Sequence, residues 1–506
     1  MTVYKRPGVY ISERLLPAPI AALGTAQAAG AVVGTFASGP TTATYVSSWY
    51  EFTKIYGGYN AAFPASFQVG AFFQNGGREL YVKRMLPADA SLAGVSIPRA
   101  AGQGNVLTIA ARDKGTDGNN LRVKVTAGVA GTGYYDIAVY KEGVAGTAQD
   151  ITNDVLLELF ENVVFAGVTL SDYAATVVNT LSSYIKITID DAVNAPNTSV
   201  YPLTGGSNGG TIVEADFNDV TTGYQAEFNK IDRPLVVFLP ALDVLMGANT
   251  ASTIVAAAIS WAATDGKHFV VAETPAARTV AQAIAVATAL VGFSHSAVYY
   301  PHYYITDPVG RGASAIRLIG PAGAVAGIYL TTDATSGPFK SPAGIGTTVA
   351  GAIALEKSFT SAELDAMNIA TGPVNPIRQI PGAGLSVMGA RTLKQDGTAN
   401  KYVNMRRSLI FIRKKLNDLS QFALFENNDE RLWERIDTTF TSFLNEYRNQ
   451  GGLRGASAAE AFFIKVDAEN NPDNLIAQGQ VNIEVGVALQ YPAEFVIITL
   501  SQKTAN

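Results

Sequence analysis

Three histidines, His268, His295 and His302, are the only imidazoles in the chain, and there is no cysteine. His295 and His302 stand seven positions apart on either side of an apolar run. Metal ligands on one strand would more naturally sit about two apart, and no thiol adds to the set. The spacing favours core or surface histidines. Ser294 and Ser296 flank His295, but adjacency in sequence is not a triad. A Gly-x-Ser-x-Gly elbow is absent, and Gly384-Leu385-Ser386-Val387-Met388-Gly389 lacks that spacing. Asp190 and Asp191 could pair as acid and base, but at a strand end they read as a solvated turn. The glycines of Pro202 to Gly209 invite a phosphate-loop reading. No lysine follows them to reach a phosphate, so the stretch reads as a linker. No catalytic, cofactor-binding or metal residue is expected, and no cofactor.

The densest charge lies further on. Arg406, Arg407, Arg413, Lys414 and Lys415 put five cations in ten residues. Tyr402, Met405, Leu409, Ile412, Leu416 and Leu419 recur at steps of three and four, so this is a helix with one apolar face. Arg407, Lys414 and Asp418 fall opposite that face, with Arg406 and Arg413 to one side. The cations are either a solvated face paired with Asp418, Glu426 and Asp429, or a docking surface for an acidic partner. A second helix follows, with Asn427 as its cap, acid at Asp429 and Glu430, and an apolar face from Leu432 to Tyr447. Gly451-Gly452 ends it. From Val481 to Leu489 the period changes to two, a strand with one buried face. Phe495 to Leu500 is apolar on both faces.

These elements need a scaffold, and the rest of the chain offers one. Residues 1–20 read as an extended arm, since Pro7, Pro17 and Pro19 prevent helix and Val9 and Ile11 alternate with Tyr10 and Ser12. Residues 21–94 read as a small α/β unit packing with the centre. Residues 95–202 are strand-rich and read as an inserted β domain, with one helix expected over Asp154 to Val163. Residues 203–395 alternate buried strands with helices at Ala251 to Ala263 and Thr279 to Phe293, a doubly wound α/β domain. Residues 396–490 form a C-terminal α+β domain, and 491–506 a closing arm. The fold class is therefore multidomain α/β and α+β. A domain of this kind is a common enzyme scaffold, so an α/β hydrolase with an appended β domain is the alternative reading.

Composition narrows the partners. Hydrophobic residues make up 48% and charged ones 16%, lean in charge for a monomer. Net charge is −5, with no basic tract to follow a phosphate backbone, so nucleic acid is not an expected partner. The longest apolar run, Ala281 to Phe293, is too short to span a bilayer, so no membrane insertion is expected. The first residues lack the apolar core of a secretory signal, because Lys5, Arg6 and Pro7 interrupt it.

Specific motifs then suggest a family. The run Phe425-Glu426-Asn427-Asn428-Asp429-Glu430-Arg431-Leu432-Trp433 resembles a signature of contractile tail sheath proteins. So do Gly451-Gly452-Leu453-Arg454-Gly455, Ala461 to Asp467, Asn470-Asn471-Pro472 and Tyr491-Pro492-Ala493-Glu494-Phe495. Pro7 to Glu13, Val374 to Arg378 and Gly389 to Leu393 agree, while Leu489 stands where the family often has proline. The resemblance implies a structural protein, not an enzyme, with a middle domain of subtilisin-like topology. Its subunits would polymerise in stacked hexameric rings around a tail tube and contract to drive the tube through a host envelope. Baseplate and tail terminator proteins would be further partners. The place would be the virion tail, assembled in the host bacterial cytoplasm, or a related injection machine such as an R-type bacteriocin. Inter-subunit strand exchange is expected at Val9, Tyr10, Ile11 and Ser12 and at Phe495, Val496, Ile497, Ile498, Thr499 and Leu500. Tube contact is expected at Arg406, Arg407, Arg413 and Lys414.

Overall fold

A strand buried on both faces can share only its hydrogen-bonding edges, and apolar runs joined by helices therefore line up in parallel. The computed structural model describes residues 27–142, 151–219, 221–312, 315–396 and 399–494. Its first strands are β1 (Ala29–Gly34), β2 (Thr44–Val46) and β3 (Leu80–Arg84). A β-rich insertion follows with β4 (Leu92–Pro98), β5 (Asn105–Lys114), β6 (Leu121–Ala127), β7 (Tyr134–Lys141), β8 (Val155–Val164), β9 (Ile185–Ile189) and β10 (Val200–Pro202). The chain then returns through β11 (Leu235–Phe238), β12 (Phe269–Glu273) and β13 (Ser296–Tyr300). A small sheet holds β14 (Tyr303–Thr306), β15 (Ile316–Ile319) and β16 (Ala352–Leu355), and β17 (Val374–Ile380) and β18 (Gly384–Val387) close the layer. The main sheet runs β18-β17-β13-β12-β11-β1-β3-β2.

This order corrects one expectation. Residues 21–94 do not make a unit of their own, because β1 pairs in parallel with β11, Ala29 opposite Leu235 and Val32 opposite Phe238. The two parts on either side of the insertion share one sheet. Side chains alternate across it. Val32, Val236 and Phe238 face a core with the Ala65–Gln74 and Ala322–Ser336 helices. Ala31, Val33, Leu235 and Val237 face a second core with the Ala248–Asp265 and Val280–Ala289 helices. Gly323 and Gly327 let the first two helices touch backbone to backbone, since a Cβ at either would strike the Gln68 or Phe72 carbonyl.

The insertion has a core of its own, in which Ile97, Val106, Val123, Ile137 and Ile187 are fully or nearly fully buried. It joins two sheets, β4-β5-β9 and β10-β6-β7-β8. The helix expected over Asp154 to Val163 is instead strand β8. Leucine and glutamate favour helix, but β7 offers a ladder, and that tertiary pairing wins. Asn162, at φ 54°, marks a bulge in that ladder. The helix of this region is Ala174–Leu181. The glycine-rich stretch is not a free linker. Ser207 bridges Ser91, and Thr204 bridges Gly94, so it lies along β4. Arg84, fully buried, fastens the junction by donating to the carbonyls of Phe36 at 3.0 Å, Gly39 at 2.8 Å and Lys114 at 2.8 Å.

The C-terminal region is two helices, Val403–Ser420 and Glu430–Asn449, packed on a two-stranded sheet of β19 (Phe462–Lys465) and β20 (Glu484–Val487). Asp429, not Asn427, caps the second helix, accepting from the Leu432 N–H at 3.0 Å. β20 is shorter than the alternation from Val481 predicts. The Asn471 side chain bonds both backbone groups of Asn482, which takes them out of the ladder. Among the described residues no helix is long and apolar enough to cross a membrane.

Candidate functional site

The Val403–Ser420 helix lies between two packing partners. Tyr402, Met405, Leu409, Ile412 and Leu416 meet the second helix and β19–β20, as their spacing predicts. The opposite side is not open to solvent. Val403 and Ile410 enter the α/β core, and the cations between them find acids there. Arg407 is 4% exposed and pairs with Asp333 of the Ala322–Ser336 helix. Its guanidinium also lies 4.6 Å from the Tyr329 ring centre, and Tyr329 Oη meets Tyr299 Oη at 2.6 Å. Burial raises the Asp333 carboxyl above the usual carboxylate range, and Arg407 offsets part of that rise. Lys414 is 7% exposed and donates to Asp418 at 2.5 Å and Asp232 at 3.1 Å. Burial alone would lower its pKa, but those two bonds outweigh it and raise it. A free basic face at Arg407 and Lys414 is therefore corrected: this chain's own carboxylates absorb both charges. Arg406 is half-buried and bonds Asn400, while Arg413 is exposed and donates to the Asp265 carbonyl at 3.2 Å.

The histidines take structural places. His268 Nδ1 accepts from the Leu235 N–H at 3.2 Å, its Nε2 lies 3.0 Å from Asp265, and Trp261 stacks on it. His295 is lowered to about 4, first by burial and then by Arg406 and Arg413. His302 Nδ1 is 3.8 Å from Glu356. Among the described residues no three of His, Cys, Asp or Glu converge as a metal site. Asp191 accepts from Asn194 and pairs with Arg99, in the turn its position suggests.

The β19–β20 sheet has a different character. Phe462, Ile464, Val485 and Val487 pack inward, while Phe463 is half exposed and lies over Gly486. Among the described residues nothing pairs with the outer edges of Phe462–Lys465 or Glu484–Val487. Unpaired edges on a short sheet are templates for added strands. Nearby, Glu494 is held by a bidentate fork from Arg391. Sequence reasoning quoted both residues in separate motifs without joining them, and it missed Asp333 and Asp232 because nothing local signals a pair so distant in sequence. The strand-exchange residues Val9 to Ser12 and Phe495 to Leu500 lie outside the described residues.

A doubly wound layer with a β insertion and a helix-backed open sheet has close counterparts among solved structures. One is the sheath tail protein of Listeria innocua, at TM-score 0.62 and 14% identity, with 92% of this chain and 95% of that one covered. Another is the anti-feeding prophage helical sheath in its contracted state, at 0.57 and 21%, covering 99% and 100%. A third is the sheath complex of an extracellular contractile injection system, also contracted, at 0.56 and 19%, covering 99% of each. The fold is that of contractile sheath proteins. Residues 395–503 match the phage tail sheath C-terminal domain family. A stretch of 165 residues is 28% identical to the tail sheath protein of Vibrio phage KVP40, covering 32% of this chain and about a quarter of that relative (23%).

Proposed function

We propose that the protein is the sheath subunit of a contractile tail or injection machine, polymerising as a helical sleeve around a tube and shortening to drive it through an envelope. The observation that carries this reading is a fold shared over nearly the whole chain with sheaths in the contracted state. The role is structural, with no catalytic step. Stored energy would be the free-energy difference between two packings of the same subunits, released without nucleotide hydrolysis. The open edges of β19 and β20 suit strands donated by neighbouring copies, supplied by Val9 to Ser12 and Phe495 to Leu500. Arg413, with Arg406 beside it, is the part of the basic helix left to face an acidic tube. Baseplate and terminator proteins would cap the sleeve, which would be built in the host cytoplasm. The hydrolase alternative has no support from the comparisons.

Electron microscopy of the purified full chain tests this: it should form tubes of two lengths. Versions lacking residues 1–14 or 495–506 should keep a folded α/β layer yet give no long sleeves. A small closed oligomer from the full chain would overturn the reading.

A further inference from the structure

The turn between the two C-terminal helices carries an unusual residue. Phe425 has φ of 66° and is fully exposed, and Leu424 beside it is 62% exposed. A bulky side chain at positive φ is strained, and such strain persists where surroundings impose it for use. Three residues on, Asn428 accepts from Trp433 Nε1 at 2.9 Å and donates to the Gln480 carbonyl at 2.8 Å, which ties the end of the turn to the second helix and to the 480 loop. An aromatic presented to solvent at a strained backbone position, with Glu426 next to it, has the form of an interface anchor.

A matching recess lies at the other end of the same helix. A groove of about 550 Å³ runs between the α/β layer and residues 490–494, with Phe339, Leu364, Met388 and Tyr491 among its walls. Its volume suits an aromatic side chain and its neighbours. Lys340 and Arg378 line it with no ion-pair partner among the described residues, Arg391 and Glu494 cancel one another, and Asp365 is the remaining acid. Asn404, in the first turn of the Val403–Ser420 helix, also lines the groove. Phe425 follows the last turn of that helix, so about 27 Å of helix separates the two at about 1.5 Å per residue. A subunit's own Phe425 does not reach its own groove.

We propose that Phe425 and Glu426 of one copy dock in this groove of a second copy, the ring against the apolar wall and the carboxylate toward Lys340 and Arg378. Knob and hole occupy different places on the chain, so the contact is heterologous and propagates as an open helix rather than closing a dimer. This rests on the sheath reading and adds to it a contact that involves neither arm.

The chain has no cysteine, so thiol cross-linking tests it directly. Tubes of the full-length double variant Phe425→Cys with Ser341→Cys, treated with a short bis-maleimide, should give a denaturing-gel ladder of dimers and higher multimers. Each single variant should give none. If the double variant assembles poorly, co-assembly with an equal amount of parent chain should still give cross-linked dimers wherever two variant copies adjoin. Glu426→Lys and Lys340→Glu should each reduce the assembled fraction about tenfold, and together restore it. Tubes of the double variant that give no ladder on treatment, a cross-link from position 425 to the tube protein, or a groove cross-linked to Val496→Cys of the same subunit would each overturn the contact. If the parent chain forms no polymer, the sheath reading itself falls, and the contact with it.

Discussion

Arg391 grips Glu494 across 103 residues of sequence, Nε to Oε1 at 2.9 Å and Nη2 to Oε2 at 2.6 Å. Its third nitrogen donates to the Asn368 carbonyl at 2.7 Å, and its own N–H donates to Asn375 of β17 at 2.7 Å. The last described residue is thereby fastened to β17, the second strand of the main sheet. A fork matched to a carboxylate is a geometric device as well as a charge pair.

Arg391→Lys should therefore behave almost as Arg391→Ala. Charge-assisted hydrogen bonds are worth about 1.5–3 kcal/mol each, and lysine keeps the charge without the fork. Limited proteolysis with a glutamyl endopeptidase should cut the variant after Glu494 sooner than the parent, and tube yield should fall. Equal protection in the lysine variant would show that the fork geometry is immaterial.

The Arg407–Asp333 pair is buried on both sides. Arg407→Ala should lower subunit stability by about 3–5 kcal/mol by leaving a carboxyl unpaired in the core. Arg407→Met with Asp333→Leu should recover most of that loss. Urea unfolding of the unassembled subunit measures both, and a double variant no better than the single would contradict the assignment.

His295 sets a pH window. Its folded pKa, about 4, lies below the ordinary histidine value of about 6.5. Between these values the unfolded chain binds the proton and the folded one does not. Stability from this group is thus complete above about 6.5 and is lost as pH falls toward 4, with a slope of at most about 1.4 kcal/mol per pH unit. Arg406 and Arg413 act on the ring from the C-terminal helix, and His268 and Asp265 from the end of the Ala248–Asp265 helix and the turn before β12. His295→Gln should flatten the curve in that window. An unchanged slope would move the effect elsewhere, with His268 next in line.

The cations of the Val403–Ser420 helix should separate by role. Lys414→Glu should destabilise the subunit, since it places a third acid beside Asp232 and Asp418. Arg413→Glu should leave folding within about 0.5 kcal/mol while reducing extended sleeves on tubes. Sleeves that form normally on tubes with Arg413→Glu would exclude this residue from the grip.

Asp429→Ala should cost the second helix about 1 kcal/mol, and Asn427→Ala only a few tenths, because only Asp429 caps it. Thermal unfolding of the two variants decides between them.

Much of the layer was legible because its strands are short apolar runs bounded by helices of clear period: the helices expected at Ala251 to Ala263 and Thr279 to Phe293 are found at Ala248–Asp265 and Val280–Ala289. β8 was not, since its leucines and glutamates satisfy a helix locally and only β7 decides otherwise. The cap is Asp429 and not Asn427 because the helix begins at Glu430, which puts the Leu432 N–H within reach of the Asp429 carboxylate. The basic face misled for a related reason. A helical wheel shows which residues share a side, but not that Asp333 and Asp232 wait on that side. The Arg391 to Glu494 fork lay in two recognised motifs, yet nothing in either names the other.

The main sheet needs β1 beside β11, about two hundred residues later in the chain. A chain leaving the ribosome at about 5–20 residues per second must hold β1 unpaired on that side for tens of seconds. The insertion has a complete core of its own and can close during that wait. Arg84 is made before it, but two of its acceptors, Lys114 and Asn208, come from the insertion and the stretch that follows. Synthesis therefore completes the insertion's core before β11 can reach β1, and supplies Asp333 and Asp232 before the C-terminal helices whose Arg407 and Lys414 they pair.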